Sequence, residues 1–145
     1  MKTENIVSCK YKREMSNNFL VFLRACESGD IEIATSLIDK VDPALSTNWA
    51  MEGACKNGHL EIVRLLLADP RVNPADRNNV SIDFAIHYGH IDIVRLLLDD
   101  SRVASSLSFM ASINWAKQWK RTEIVDLLTE HLYRLDGPEY TKNIL

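Results

Sequence analysis

Nothing in this chain announces a reactive centre. It has no Gly-x-Ser-x-Gly elbow, no glycine-rich phosphate loop, and no cysteine near a histidine outside the repeat register described below. Neither an enzyme nor a bound cofactor is expected. Cysteine is scarce, with three in 145 residues, and an odd number fits reduced thiols in an intracellular protein better than a disulfide framework. No apolar run approaches the roughly 18 residues of a membrane span. The opening Met1-Lys2-Thr3-Glu4-Asn5-Ile6 lacks the hydrophobic segment of a secretory signal. Excess basic charge is missing too: the formal net charge is −3 at pH 7, which weighs against a phosphate-binding surface and hence against nucleic acid.

What is present is one short sentence written four times. Ala25-Cys26-Glu27-Ser28-Gly29-Asp30-Ile31-Glu32-Ile33 returns as Ala54-Cys55-Lys56-Asn57-Gly58-His59-Leu60-Glu61-Ile62-Val63, then as Ala85-Ile86-His87-Tyr88-Gly89-His90-Ile91-Asp92-Ile93-Val94, and last as Ala116-Lys117-Gln118-Trp119-Lys120-Arg121-Thr122-Glu123-Ile124-Val125. The steps run from 29 to 58, 58 to 89 and 89 to 120. Self-similarity of this period marks a stacked array, in which each unit buries its apolar face on its neighbours.

Each unit reads as two antiparallel helices. Leu60, Ile62, Val63, Leu66 and Leu67 form an apolar stripe, repeated by Ile91, Ile93, Val94, Leu97 and Leu98, while Glu61 with Arg64 and Asp92 with Arg95 stand outside it as a solvated face. Met51, Ala54 and Cys55, matched by Ile82, Ala85 and Ile86, lie on one side of a preceding helix. Gly29, Gly58 and Gly89 end that helix, because a left-handed backbone costs glycine nothing sterically. Small Ala25, Ala54, Ala85 and Ala116 let neighbouring units approach closely. Lys120 takes the glycine position in the last unit, where a left-handed angle costs about 1 kcal/mol, so that turn is expected to be built differently. Prolines and Asn/Asp residues in Asp69-Pro70-Arg71-Val72-Asn73-Pro74-Ala75-Asp76-Arg77-Asn78-Asn79 predict a loop or short hairpin. Asn48 and Asn79 stand where an N-cap is wanted.

A helix, a Gly-His-Leu-Glu-Ile-Val turn, a second helix ending in three leucines and a turn-rich finger resemble the ankyrin repeat, over about residues 17 to 132. In its short period the chain is similar to ankyrin repeats of large DNA viruses and protists. Trp49-Ala50-Met51-Glu52 and Val80-Ser81-Ile82-Asp83 replace the family's Thr-Pro-Leu-His. The resemblance implies an all-α ankyrin-repeat solenoid of about four stacked units with short finger loops, repeats at about 19–47, 48–78, 79–109 and 110–132. A tail or capping extension over 1–18 and a tail over 133–145 flank it.

That resemblance also implies the role: a protein-interaction module that docks a partner protein on its concave face, acting as a monomer. Carried over position by position, the partner-binding residues are Lys56 and Asn57, His87 and Tyr88, Gln118 and Trp119 from the helix ends, with Asp76, Arg77, Asn79, Ser108 and Met110 from the fingers. Exposed Tyr and Trp suit such a role, since they bury much area with few rotors. Trp119 is open to a second reading, as part of the C-terminal cap. Two rival functions stand beside docking: self-association through the same groove, and a metal or enzymatic site. For the latter, Asp83, His87 and His90 are the most metal-like group, although Gly89 separates the two histidines and structural zinc wants four ligands.

Overall fold

The computed structural model describes residues 17–136. Most of the tail over 1–18 and residues 137–145 of the C-terminal tail lie outside the described residues. Within them the chain forms nine α-helices and one short 3-10 turn, with no strand. These are α1 (Asn17–Ser28), α2 (Ile31–Leu37), a 3-10 turn (Ile38–Lys40), α3 (Leu45–Asn57), α4 (Leu60–Leu67), α5 (Asp76–Tyr88), α6 (Ile91–Leu98), α7 (Ser101–Ser106), α8 (Phe109–Gln118) and α9 (Thr122–Asp136).

Four helical hairpins result, α1/α2, α3/α4, α5/α6 and α8/α9, and they stack in chain order. First helices pack on first helices, and second helices on second helices, so two layers run the length of the array. Between the layers lies one continuous core, from Phe19 and Phe22 through Met51, Ile62, Leu66, Ile82, Ile86, Ile93 and Leu97 to Ile113, Ile124 and Leu128. Ala25, Ala54, Ala85 and Ala116 are all buried in it, as small residues must be where first helices meet closely. The fold is the all-α solenoid that the repeat pattern predicts.

Every hairpin closes in the same way. Gly29, Gly58 and Gly89 take φ of 80°, 80° and 83°. The next residue then donates its N–H to the alanine four positions before the glycine: Asp30 to Ala25 at 2.9 Å, His59 to Ala54 at 3.0 Å, His90 to Ala85 at 2.9 Å. The fourth turn corrects the expectation made for Lys120. Its φ is 56°, and Arg121 donates to Ala116 at 2.9 Å, so the last turn is built like the others in spite of its side chain.

The reason lies one repeat further on. A Cβ on Gly29 would stand 2.5 Å from Nδ1 of His59, and one on Gly58 would stand 2.6 Å from Cε1 of His90. These glycines therefore serve twice, through their backbone angle and as the floor on which the next repeat's imidazole rests. Among the described residues nothing is stacked in that way over Lys120, which leaves it only the backbone strain to bear.

Asn48 and Asn79 also differ from expectation. Both adopt left-handed angles, with φ of 63° and 66°, a region asparagine tolerates better than most side chains. Their amides reach forward into the next finger instead of capping their own helix. Asn48 Nδ2 donates to the Asn73 carbonyl at 3.0 Å and to Asp76 Oδ2 at 3.1 Å, and Asn79 Nδ2 donates to Ser106 Oγ at 3.0 Å. Both asparagines thus bond across a repeat boundary. The first finger carries the 3-10 turn, the second runs through Arg77, Asn78 and Asn79, whose left-handed angles break the start of α5, and the third contains α7, whose Asp100 side chain caps it by accepting from the Arg102 N–H.

Candidate protein-docking face

The first helices turn one side toward the core and the other away from the second-helix layer. Helical spacing puts Trp49, Gly53 and Lys56 of α3, Val80, Phe84 and His87 of α5, and Ala111, Trp115 and Gln118 of α8 along that outer side. Trp49 is 47% exposed and Trp115 is 49% exposed, large values for tryptophan. Tyr88, at 42%, stands at the C-terminal end of the same face.

Four rings gather where α5 meets α8. His87 meets Tyr88 edge-on at 4.7 Å and Trp119 at 4.2 Å, and Trp119 in turn meets Trp115 at 5.5 Å. Trp119 is half-buried and packs on the core as well, so it supports the exposed rings and finishes the last unit together.

The remaining predicted residues divide by what their polar groups already hold. Asn57 Nδ2 donates back to the Glu27 and Gly53 carbonyls. Asp76 accepts from Asn48, and Arg77 NH1 lies 2.9 Å from Glu52 Oε1. Asn79 is only 3% exposed, and its side chain is spent on Ser106. Lys56, Met110, Ser108 and Gln118 remain exposed. The prediction missed Trp49, Trp115 and Asp83 as members of this face, although the helical spacing that places Lys56 and His87 there places them too.

Two ladders of hydrogen bonds tie each repeat to the one before it. On one, His59 Nε2 meets the Glu27 carbonyl at 2.9 Å and His90 Nε2 meets that of Lys56 at 3.0 Å. Arg121 continues the series by donating Nε and NH2 to the His87 carbonyl. On the other, Arg71 donates to the Val41 and Ile38 carbonyls, and Arg102 to that of Val72. Asp69 and Asp100 hold those guanidiniums in place, and the side-chain hydrogen bonds from Arg71 and Arg102 hold the two carboxyls below their ordinary range.

No group of three metal-ligating side chains gathers among the described residues: His90 is committed to Lys56, and His87 to the tryptophan cluster. Cys26 and Cys55 are buried and free. Burial pushes the Cys26 thiol up to about 12 and the Cys55 thiol higher than its ordinary value, which keeps both protonated and unreactive.

One carboxylate on the face differs from the rest. Asp83 lines a cavity of about 300 Å³ between α5 and α8, together with Ser108, Ser112 and Trp115. Burial alone lifts it to about 6.

A family model for ankyrin repeats, in three copies, matches residues 22–106 and 54–143. The chain belongs to the ankyrin-repeat family. No curated protein and no solved structure gives a significant match. Ankyrin repeats are in general protein-interaction modules, and proteins built from them are typically not enzymes. No helix among the described residues is long and apolar enough to cross a membrane.

Proposed function

We propose that this protein is a non-catalytic docking module that binds a partner protein on the outer side of its first-helix layer, the concave face of the array. The supporting observation is the run of exposed rings along it, Trp49, Tyr88 and Trp115, on a surface whose backbone is tied by both ladders. Rings of this kind bury much area at little rotamer cost, and a preformed face loses little ordering entropy on docking. Lys56, His87, Ser108, Met110, Gln118 and the buttressing Trp119 complete the contact surface. Asn57, Asp76 and Arg77 shape its edges, and buried Asn79 holds the finger beneath it. The protein works as a monomer inside the cell, where its free Cys26 and Cys55 stay reduced.

Affinity capture with partner identification tests this. Trp49→Ala with Tyr88→Ala is expected to abolish capture of the partner while leaving helicity unchanged, and undiminished capture moves the site elsewhere. A molecular mass that rises with concentration overturns the monomer.

A further inference from the structure

The repeat supplies its own template for what the Asp83 cavity holds. In the second repeat the first-helix carboxylate Glu52 is largely buried, its side chain 13% exposed, and Arg77 of the following finger meets it at 2.9 Å. One period later the same two positions are Asp83 (52 to 83) and Ser108 (77 to 108). The carboxylate persists and the arginine is gone. The Asp83 side chain has no hydrogen bond or ion pair among the described residues, and it is the sole charged residue lining its cavity. Ser108, at the position from which Arg77 reaches Glu52 one repeat earlier, lines the space. Across it stands Trp115, half exposed.

The geometry points to an arginine side chain of the docked partner as the occupant of this cavity, its guanidinium paired with Asp83 and its stem covered by Trp115. A desolvated carboxylate without a counter-charge is unfavourable, and a cation from outside relieves it. Arginine fits better than lysine. Its planar fork can pair with the carboxylate while its face lies on the indole, and it is the less strongly hydrated of the two cations. The serines and Asn78 around the rim offer acceptor oxygens to the guanidinium N–H groups that the carboxylate leaves free. This inference rests on docking at the concave face and adds the chemistry of one anchor.

The first test is an NMR titration of the full chain with N-acetyl-arginine amide, against the uncharged citrulline compound as control. The arginine compound is expected to move the Trp115 indole N–H signal and the citrulline compound to leave it in place. Asp83→Asn should weaken binding about tenfold, the loss of one charge-assisted hydrogen bond. Ser108→Arg should remove binding, because it restores within the chain the pairing that Arg77 makes with Glu52. Equal shifts from both compounds, or unaltered binding by Asp83→Asn, overturn the inference.

A second arm separates it from the reading on which it rests. Peptides selected on the full chain from a random display library are compared on three forms: the wild type, Asp83→Asn, and Trp49→Ala with Tyr88→Ala. Arginine-bearing peptides weakened by both changes support it. Peptides lost with the ring substitutions but indifferent to Asp83→Asn overturn the arginine pocket and leave concave-face docking standing. Peptides indifferent to both overturn the two together.

Discussion

The imidazole of His90 packs against Gly58 of the preceding repeat, so close that a Cβ there would come within 2.6 Å of Cε1, while Nε2 meets the Lys56 carbonyl at 3.0 Å. Backbone angle, void and hydrogen bond are therefore one joint. Gly58→Ala strains the left-handed turn and displaces the ring together, and is expected to cost about 2–3 kcal/mol. His90→Ala alone should cost about 1 kcal/mol. Urea unfolding of the single and double variants checks the coupling: the double variant is expected to lose less than the sum, since the alanine methyl then meets no ring. Strict additivity refutes the joint.

Lys120 presents the converse case. It holds a left-handed angle without being glycine, and among the described residues no ring is stacked on it, so Lys120→Gly is expected to remove strain. A gain of about 0.5–1 kcal/mol is expected, read as a raised urea midpoint at unchanged slope. A loss of stability there means the lysine side chain contributes something beyond its backbone.

The Asp100–Arg102 pair makes part of the stability depend on acid. Arg102 holds the Asp100 carboxyl below its ordinary value of 3.8, so the folded state binds that proton more weakly than the unfolded chain does. The pair's contribution is whole above pH 3.8 and fades as pH falls through the lower folded value. Asp100→Asn is expected to destabilise at pH 7 and to lose that effect progressively as pH falls below 3.8. Arg102→Ala, which leaves the Val72 carbonyl without its donor, should cost about 1–2 kcal/mol at neutral pH. Thermal melts across the acid range give the answer.

Asp83 acts with the opposite sign. Its carboxyl is lifted from 3.8 to about 6 by burial, so the folded state holds the proton more tightly than the unfolded chain. The favourable term is complete below pH 3.8 and disappears as pH rises through 6. Asp83→Asn should therefore be neutral near pH 3.5 and stabilising at pH 7.5, by about 1 kcal/mol once solvent screening of a partly exposed group is allowed for. No other cavity-lining residue titrates to confuse the reading. A variant equally stable at both pH values contradicts the assignment.

The helices and their stacking were legible in the sequence because apolar spacing and the αL glycines act within a few residues of one another. Period also announces longer contacts when read across repeats. Asp69 with Arg71 and Asp100 with Arg102 recur at the same offset (69 to 100, 71 to 102), as do Asn48 and Asn79, yet their work is done on the neighbouring unit. Local rules see only a turn and an N-cap there. Arg121 was hidden for the same reason: it replaces a histidine by type but reproduces its bond to the previous repeat. Of the candidate docking face, Lys56, His87, Tyr88 and Gln118 came from the ankyrin resemblance, carried over position by position. Trp49 and Trp115 required knowledge of which side the second helices cover, a tertiary matter. Asp83 stands out in the sequence only as part of a metal-like group with His87 and His90; its missing counter-charge shows only beside Glu52 and Arg77.

The glycine and the residue after it give each unit a socket on one side and a plug on the other. The middle two units carry both, Gly58 with His59 and Gly89 with His90, whereas the first has Asp30 as its plug position, turned inward to its own helix by accepting from Ile33 N–H, and the fourth has a filled socket at Lys120. Joining is thus directional, like couplings on a train: a duplicated middle unit can be spliced in between its neighbours, and the two end units can be exchanged for neither.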